Sequence, residues 1–138
     1  MADRVRKVNY CYVIVPHRAG QGVRVLRALA EAEINLGAMV GFPVRGGKAQ
    51  LDFVGDRLGP IRRVAVRHGW KVSRNKRAFL VQGEDKAGAV HRILRKLADA
   101  RVSVTATAGV AAGGRRFGMI VWVKPRDYAR AARALKAR

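Results

Sequence analysis

Slid along itself by 68 residues, this chain of 138 residues falls into register with its own second half without a gap. Ala19 and Gly20 meet Ala87 and Gly88, and Arg24, Leu26, Arg27, Leu29, Ala30 and Ala32 meet Arg92, Leu94, Arg95, Leu97, Ala98 and Ala100. Ala38, Gly41 and Gly46 then meet Ala106, Gly109 and Gly114. Conservative pairs agree: Val25 with Ile93, Glu31 with Asp99, Ile34 with Val102, Asn35 with Ser103. A match that keeps apolar positions and glycine breakpoints together implies one folding unit used twice.

Each copy gives the same order of signals. Tyr10 to Val15 and Ala78 to Gly83 are short β-rich runs. A glycine-containing turn leads into a helical pattern whose predicted apolar face is Val23, Leu26, Leu29 and Ala30 in the first copy, and Val90, Ile93, Leu94 and Leu97 in the second. Strands are predicted over 34–44 and 102–112, with return strands over 49–54 and 117–123. Gly46-Gly47 and Gly113-Gly114 supply the positive φ a hairpin needs. Second helices follow over 58–68 and 125–137, each with proline near its start. Trp70 to Ser73 is a last short strand. The expected fold is α+β: two ferredoxin-like βαββαβ repeats, 8–74 and 78–138, joined by a linker at 75–77, with helices on one face of antiparallel sheets.

In the second copy no fourth strand is expected after the last helix. An uncovered β edge is rarely tolerated, so the edge of 78–83 is expected to be covered by a strand of a partner chain or of the other repeat. Along 117–123, Met119, Val121 and Val123 alternate with Ile120 and Trp122. Helices on one side cannot bury both sets, which predicts sheet packing in a homodimer or a ligand on the second face.

Lys and Arg number 29 against 9 Asp and Glu, a formal net charge of +20. Such a field attracts polyanions. The single cysteine, Cys11, excludes an internal disulfide framework and agrees with a reducing compartment. Arg4, Arg6 and Lys7 precede an apolar run, but that run contains Asn9, Tyr10 and Tyr12 and ends at Pro16-His17, so it reads as a strand and not a signal peptide. No stretch approaches the roughly 20 apolar residues of a membrane span. The expectation is a soluble, cytoplasmic protein.

The segments around each first helix are similar to those of ACT domains, in which a strand ends in an acidic residue, often D-x-P-G, before a helix ending L-x-x-A-x-I-N-I. The second copy reads Asp85-Lys86-Ala87-Gly88, then Leu97-Ala98-Asp99-Ala100-Arg101-Val102-Ser103-Val104. The first reads His17-Arg18-Ala19-Gly20, then Leu29-Ala30-Glu31-Ala32-Glu33-Ile34-Asn35-Leu36. The resemblance implies a regulatory protein that binds an amino acid where this turn meets the start of the second strand of a neighbouring unit. By position it implies His17, Gly20, Gln21, Gly22, Asn35 and Leu36 in the first copy, and Asp85, Gly88, Ala89, Ser103 and Val104 in the second. Ala19 and Ala87 stand where the family often has proline, and His17 replaces the acid. A glycine at a helix start lets a carboxylate approach free N–H groups and the positive end of the dipole.

No catalytic residues, cofactor or metal site are expected. His17, His68 and His91 lack metal-ligand spacing, Cys11 sits in a strand as a small hydrophobe, and Gly20-Gln21-Gly22 lacks the third glycine of a phosphate loop. Arg24 and Arg27 recur as Arg92 and Arg95, and Arg126, Arg130 and Arg133 keep helical spacing on the last helix, with few acids at i±4. These seven arginines form a candidate anion-binding surface. The alternative function is therefore a basic nucleic-acid- or ribosome-associated protein on the same scaffold, although Arg116-Phe117-Gly118-Met119-Ile120-Val121-Trp122 fails the aromatic pattern of RNA-recognition motifs.

Overall fold

A computed structural model describes residues 3–138. The order is β1 (Arg4–Pro16), α1 (Gln21–Glu31), β2 (Ala38–Val44), β3 (Lys48–Val54), α2 (Gly59–Arg67), β4 (Lys71–Val72), β5 (Lys76–Glu84), α3 (Ala89–Asp99), β6 (Val104–Ala111), β7 (Arg116–Val123), a 3-10 turn (Pro125–Asp127) and α4 (Tyr128–Leu135). The chain divides into two compact units. One is Asn9–Lys76; the other joins the described residues up to Val8 to Arg77–Arg138.

In the unit of Asn9–Lys76 the strands run β2-β3-β1-β4, all antiparallel. Period-two alternation turns Cys11, Val13 and Val15 of β1 toward the helices. They are buried there with Phe53, Leu51, Val25, Leu29, Ile61 and Val64. The hairpin between β2 and β3 turns at Gly46 and Gly47, with φ of 78° and 67°, conformations that glycine adopts without steric cost.

In the other unit the order is β1-β5-β7-β6, with Arg4–Val8 as the part of β1 beside β5. Phe79 and Val81 of β5, Met119 and Val121 of β7, Ile93 and Leu97 of α3, and Ala131 and Leu135 of α4 form its core, which Val5 joins. Tyr128 ties α4 to the sheet. Its hydroxyl donates to the Ala78 carbonyl at 2.8 Å, and its ring stacks on Phe79 at 4.4 Å.

Several sequence expectations are corrected. The edge of residues 78–83, expected to be covered by a strand of a partner chain or of the other repeat, is covered within the chain: Arg4–Val8, the leading part of β1, stands beside β5 as β4 stands beside β1. The alternation of Arg4 and Arg6 around the buried Val5 is a strand signal that the cluster of cations obscured. Arg138 bonds to the same segment, donating to the Val5 carbonyl and accepting from the Lys7 N–H, both at 3.1 Å. Lys76 and Arg77, read as linker, begin β5.

The first helices bury Leu29, Ile93 and Leu97 of the predicted faces and pack Leu26 and Leu94 against the core, but they leave the leading valines out. Val25, Ala28 and Leu29 are buried on α1 while Val23 is 60% exposed; on α3 the buried set is Ala89, Ile93 and Leu97 while Val90 is 41% exposed. The stripe of α1 follows i, i+3 and i+4 and that of α3 follows i, i+4 and i+8; the small Ala28 and Ala89 carry little hydrophobic signal, so the sequence pattern favours the valines. Ile120 and Trp122 are 5% and 8% exposed in the single chain, so their apolar character does not require a second chain.

β2 and β6 begin later than the sequence suggests, because each preceding helix ends in a left-handed residue: Glu33 at φ 57° and Arg101 at φ 58°. Ile34 then donates to the Leu29 carbonyl and Val102 to the Leu97 carbonyl, both at 2.9 Å, the long bond of a Schellman motif. Similarly, the last helix begins at Tyr128, after the 3-10 turn.

Candidate ligand groove at the Gly88 turn

β5 ends at Glu84, and the turn to α3 is fixed by two backbone bonds: Asp85 donates to the Arg115 carbonyl at 2.8 Å and Ala89 to the Lys86 carbonyl at 3.1 Å. Gly88 is left-handed, with φ 85°, and precedes the first residue of α3. No side chain caps this helix start, so its N–H groups and the positive end of its dipole face outward. Beside the turn, the C-terminal end of β6 returns along β7, with Ala111 opposite Phe117 and Gly83 opposite the same Phe117 on the other side.

These pieces enclose an open groove of about 380 Å³ lined by Asp85, Lys86, Gly88, Ala89, Val90, His91, Gly109, Val110, Ala111 and Phe117. The size lies within the range of small-molecule sites. Its charges gather at the turn. Asp85 and His91 are exposed, and Lys86 lies 3.7 Å from Glu84. The walls are apolar: Val90 from α3, Phe117 from β7, and Gly109 and Ala111 from the face of β6 that turns toward α3.

Asp85, Gly88 and Ala89 thus come together in the groove, while Val90, His91, Gly109, Val110, Ala111 and Phe117 were missed by sequence reasoning. The repeat did align Gly109 with Gly41, but nothing local says that the end of β6 returns to the turn. Ser103 and Val104 do not reach this groove. Val104 pairs with Val123 while Ala111 pairs with Phe117, so the start of β6 lies roughly 20 Å from the turn at about 3.3 Å per residue. Ser103 is exposed there, and Val104 packs on the core.

The first turn has the same backbone and different chemistry. Gly20 has φ 89°, His17 donates to the Gly47 carbonyl at 2.8 Å, and Gln21 donates to the Arg18 carbonyl at 3.2 Å. A Cβ on Gly20 or Gly22 would meet nothing within 4 Å, so only φ demands glycine at 20 and nothing demands it at 22. Asn35 and Leu36 precede β2, whose first residue pairs with Val54, whereas the turn follows Pro16, opposite Lys48. They lie at the other end of the unit, with Asn35 exposed and Leu36 packed against the core.

The arginines separate into two groups. Arg92 donates to both carboxylate oxygens of Asp3, Arg95 pairs with Asp99 at 3.0 Å, and Arg130 donates to the Ala100 and Arg101 carbonyls and to Asp127. These three have partners within the fold, a correction to the expectation of arginines without acidic support. Arg24, Arg27, Arg126 and Arg133 are exposed. Among the described residues no three His, Cys, Asp or Glu side chains cluster as metal ligands, and no helix is long and apolar enough to cross a membrane. Cys11 is fully buried and its thiol is pushed up by that burial, the opposite of an activated nucleophile.

Comparison with solved structures places this architecture. A protein from Bacteroides thetaiotaomicron superposes with a TM-score of 0.79 at 16% identity, covering 97% of this chain and 88% of its own. The regulatory subunit of aspartate kinase from Thermus thermophilus, in its ligand-free form, gives 0.65 at 14% identity, with 98% and 93% covered. A putative C-terminal regulatory domain of aspartate kinase from Porphyromonas gingivalis gives 0.61 at 13%, with 98% and 94% covered. The fold is ACT-like. No protein-family model matches the sequence, and no curated protein does. The similarity lies in the fold, and the named aspartate kinase neighbours are regulatory parts, not catalytic ones.

Proposed function

We propose that this chain is a non-enzymatic regulatory module, built as two tandem ACT-like repeats, that binds an amino acid or similar small ligand at the Gly88 turn and acts on a partner protein. The groove at that turn carries the reading. It joins a helix start that favours a carboxylate, a carboxylate at Asp85 suited to an α-ammonium group, and apolar walls of side-chain size.

The tandem reading is supported by the 68-residue register, by the shared left-handed glycine before α1 and α3, and by the same hydrogen-bonded stop after each of those helices. A single site per chain is favoured by the difference between the turns, since His17 stands where the second turn has Asp85. Homodimer formation is supported by β6, an edge strand largely exposed along Val104–Ala111 that carries no charged residue in a chain of net charge +20. Edges are usually blunted with lysine or proline; β2 has Pro43, and β6 has neither. Two copies paired antiparallel about the middle of β6 would bring the partner's Ser103 and Val104 toward Val110 and Ala111, and so to the groove.

Calorimetry and thermal shift against the common α-amino acids test the reading, with Gly88→Val as the control, because φ 85° strains any β-branched residue. Heat and a stabilising shift that the variant loses are expected. No heat and no shift at millimolar concentration would overturn the proposal.

A further inference from the structure

We infer that the α2–β4 side of the unit of Asn9–Lys76 binds single-stranded nucleic acid, a role independent of the Gly88 groove. Residues 57–76 hold seven Lys or Arg and no Asp or Glu. Two of these cations are engaged within the fold. Arg62 donates to the Ser73 carbonyl and to Asn75 Oδ1, and Lys76 lies over the Tyr12 ring at 5.6 Å. Arg63, Arg67 and Arg74 are exposed, and among the described residues no carboxylate pairs with them. Arg95 and Arg130, by contrast, each have an acid three or four residues away. Such acids balance the cations of a solvated helix face. Their absence along α2 leaves a positive field that favours a polyanion.

Charge alone does not distinguish among polyanions, and the rings at the end of α2 do. Gly69 turns the chain at φ 73°, Trp70 donates to the Ala65 carbonyl at 2.9 Å, and the His68 and Trp70 rings stack at 4.5 Å with 11° between their planes. Trp70 packs against the core while His68 is exposed, so the imidazole is the outer ring, supported by the indole. Arg63 and Arg67 stand four residues apart on one exposed flank of α2, and His68 follows Arg67 directly. The bonds from Arg62 to residues 73 and 75 hold Arg74 alongside the start of α2. A cation in the last turn also offsets the helix dipole, but that accounts for Arg67 alone. An exposed, supported ring flanked by unpaired guanidiniums can stack a base and hold its phosphates. A polyanion without bases gains nothing from the ring.

Fluorescence anisotropy of the full chain with labelled adenine and uracil oligomers of about ten nucleotides, as RNA and as DNA, tests this. Inorganic polyphosphate of matched length serves as competitor, and sedimentation with phosphatidylserine vesicles is the third arm. The oligomers are expected to bind about ten-fold more tightly than polyphosphate, with affinity falling steeply as salt rises. His68→Ala is expected to weaken the oligomers about ten-fold and polyphosphate not at all; His68→Tyr, which keeps a ring, should restore them. Arg63→Ala with Arg67→Ala should weaken oligomers and polyphosphate together and flatten the salt dependence. Circular dichroism checks that each variant is folded, and all three positions are exposed. A preference between RNA and DNA identifies the strand and supports the proposal. Equal binding of oligomers and polyphosphate, or oligomer affinity unchanged in His68→Ala, would overturn it. So would binding to the vesicles alone, or no binding at low salt.

Discussion

The Arg92 guanidinium donates to both oxygens of the Asp3 carboxylate at 3.1 Å, and it does so over a glycine. A Cβ on Gly83 would lie 2.2 Å from Asp3 Oδ1 and 2.7 Å from Phe117 Cε1. The ion pair therefore ties the segment beside β5 to α3 through a gap that only glycine leaves open. With the Asp3 side chain 6% exposed, loss of the acid leaves Arg92 without this charge partner.

Gly83→Ala is therefore expected to destabilise the protein by about 1–3 kcal/mol, the usual range for an overpacked site. Asp3→Ala alone should cost about 1 kcal/mol. The two effects should not add, because the alanine methyl and the Asp3 carboxylate compete for one space. Urea unfolding of both single variants and the double variant measures the coupling; additive values would contradict the geometry.

How legible this unit was in the sequence depends on the range of the interaction. The glycine turns at 20, 46, 47, 88, 113 and 114 were local signals, and each adopts the positive φ that the pattern required. Covering of β5 by Arg4–Val8 was not legible, because a pairing across more than 70 residues leaves no local periodicity and the cations around Val5 hid its alternation. The groove divides in the same way. Asp85 and Gly88 belong to a contiguous motif, whereas Val110 and Phe117 join them only through the β6–β7 register. The helix faces were legible at Leu29, Ile93 and Leu97, which are buried, and misjudged at their edges by side-chain size, since Ala28 and Ala89 face the core and the larger Val23 and Val90 do not.

Arg101 holds φ 58° after α3, and Glu33 holds φ 57° after α1. Left-handed backbone costs a non-glycine residue about 1–2 kcal/mol, partly offset in glycine by the greater freedom of its unfolded chain. Arg101→Gly and Glu33→Gly are each expected to stabilise by about 0.5–1 kcal/mol, whereas Arg101→Val should destabilise. Thermal melts at fixed pH and salt check both directions. Arg101 is exposed, so loss of a buried contact does not confuse the comparison.

Tyr128→Phe removes the hydroxyl that donates to the Ala78 carbonyl and leaves the stacking on Phe79 in place. The bond is buried, so a cost of about 1–2 kcal/mol is expected. Tyr128→Ala should cost about 3–5 kcal/mol, because it also empties a core position. A phenylalanine variant as stable as the parent by urea unfolding would show that the Ala78 carbonyl finds another donor.

Burial pushes two acids upward within the unit of Asn9–Lys76. Tyr10 is raised by burial, and further by the Asp52 and Tyr12 charges, from 10.0 to about 12. Asp52 is raised above 3.8 by burial, against a hydrogen bond from Gln50 at 2.9 Å and the Lys76 charge, which pull it down. In both cases the folded state holds its proton to higher pH than the unfolded chain, so stability falls as pH rises through the interval between the two values. For Tyr10 that interval is pH 10 to about 12, and Tyr10→Phe should flatten the decline there. For Asp52 it opens at 3.8, so the carboxylate is a net cost at neutral pH. Asp52→Asn keeps a carbonyl oxygen for Gln50 and removes the buried charge. It is expected to raise stability at pH 7, and this gain should vanish below pH 3.8, where the parent carboxyl is protonated in both states. Urea unfolding at neutral and acidic pH decides the point; a gain that persists at acidic pH would place its origin in packing and not in the charge.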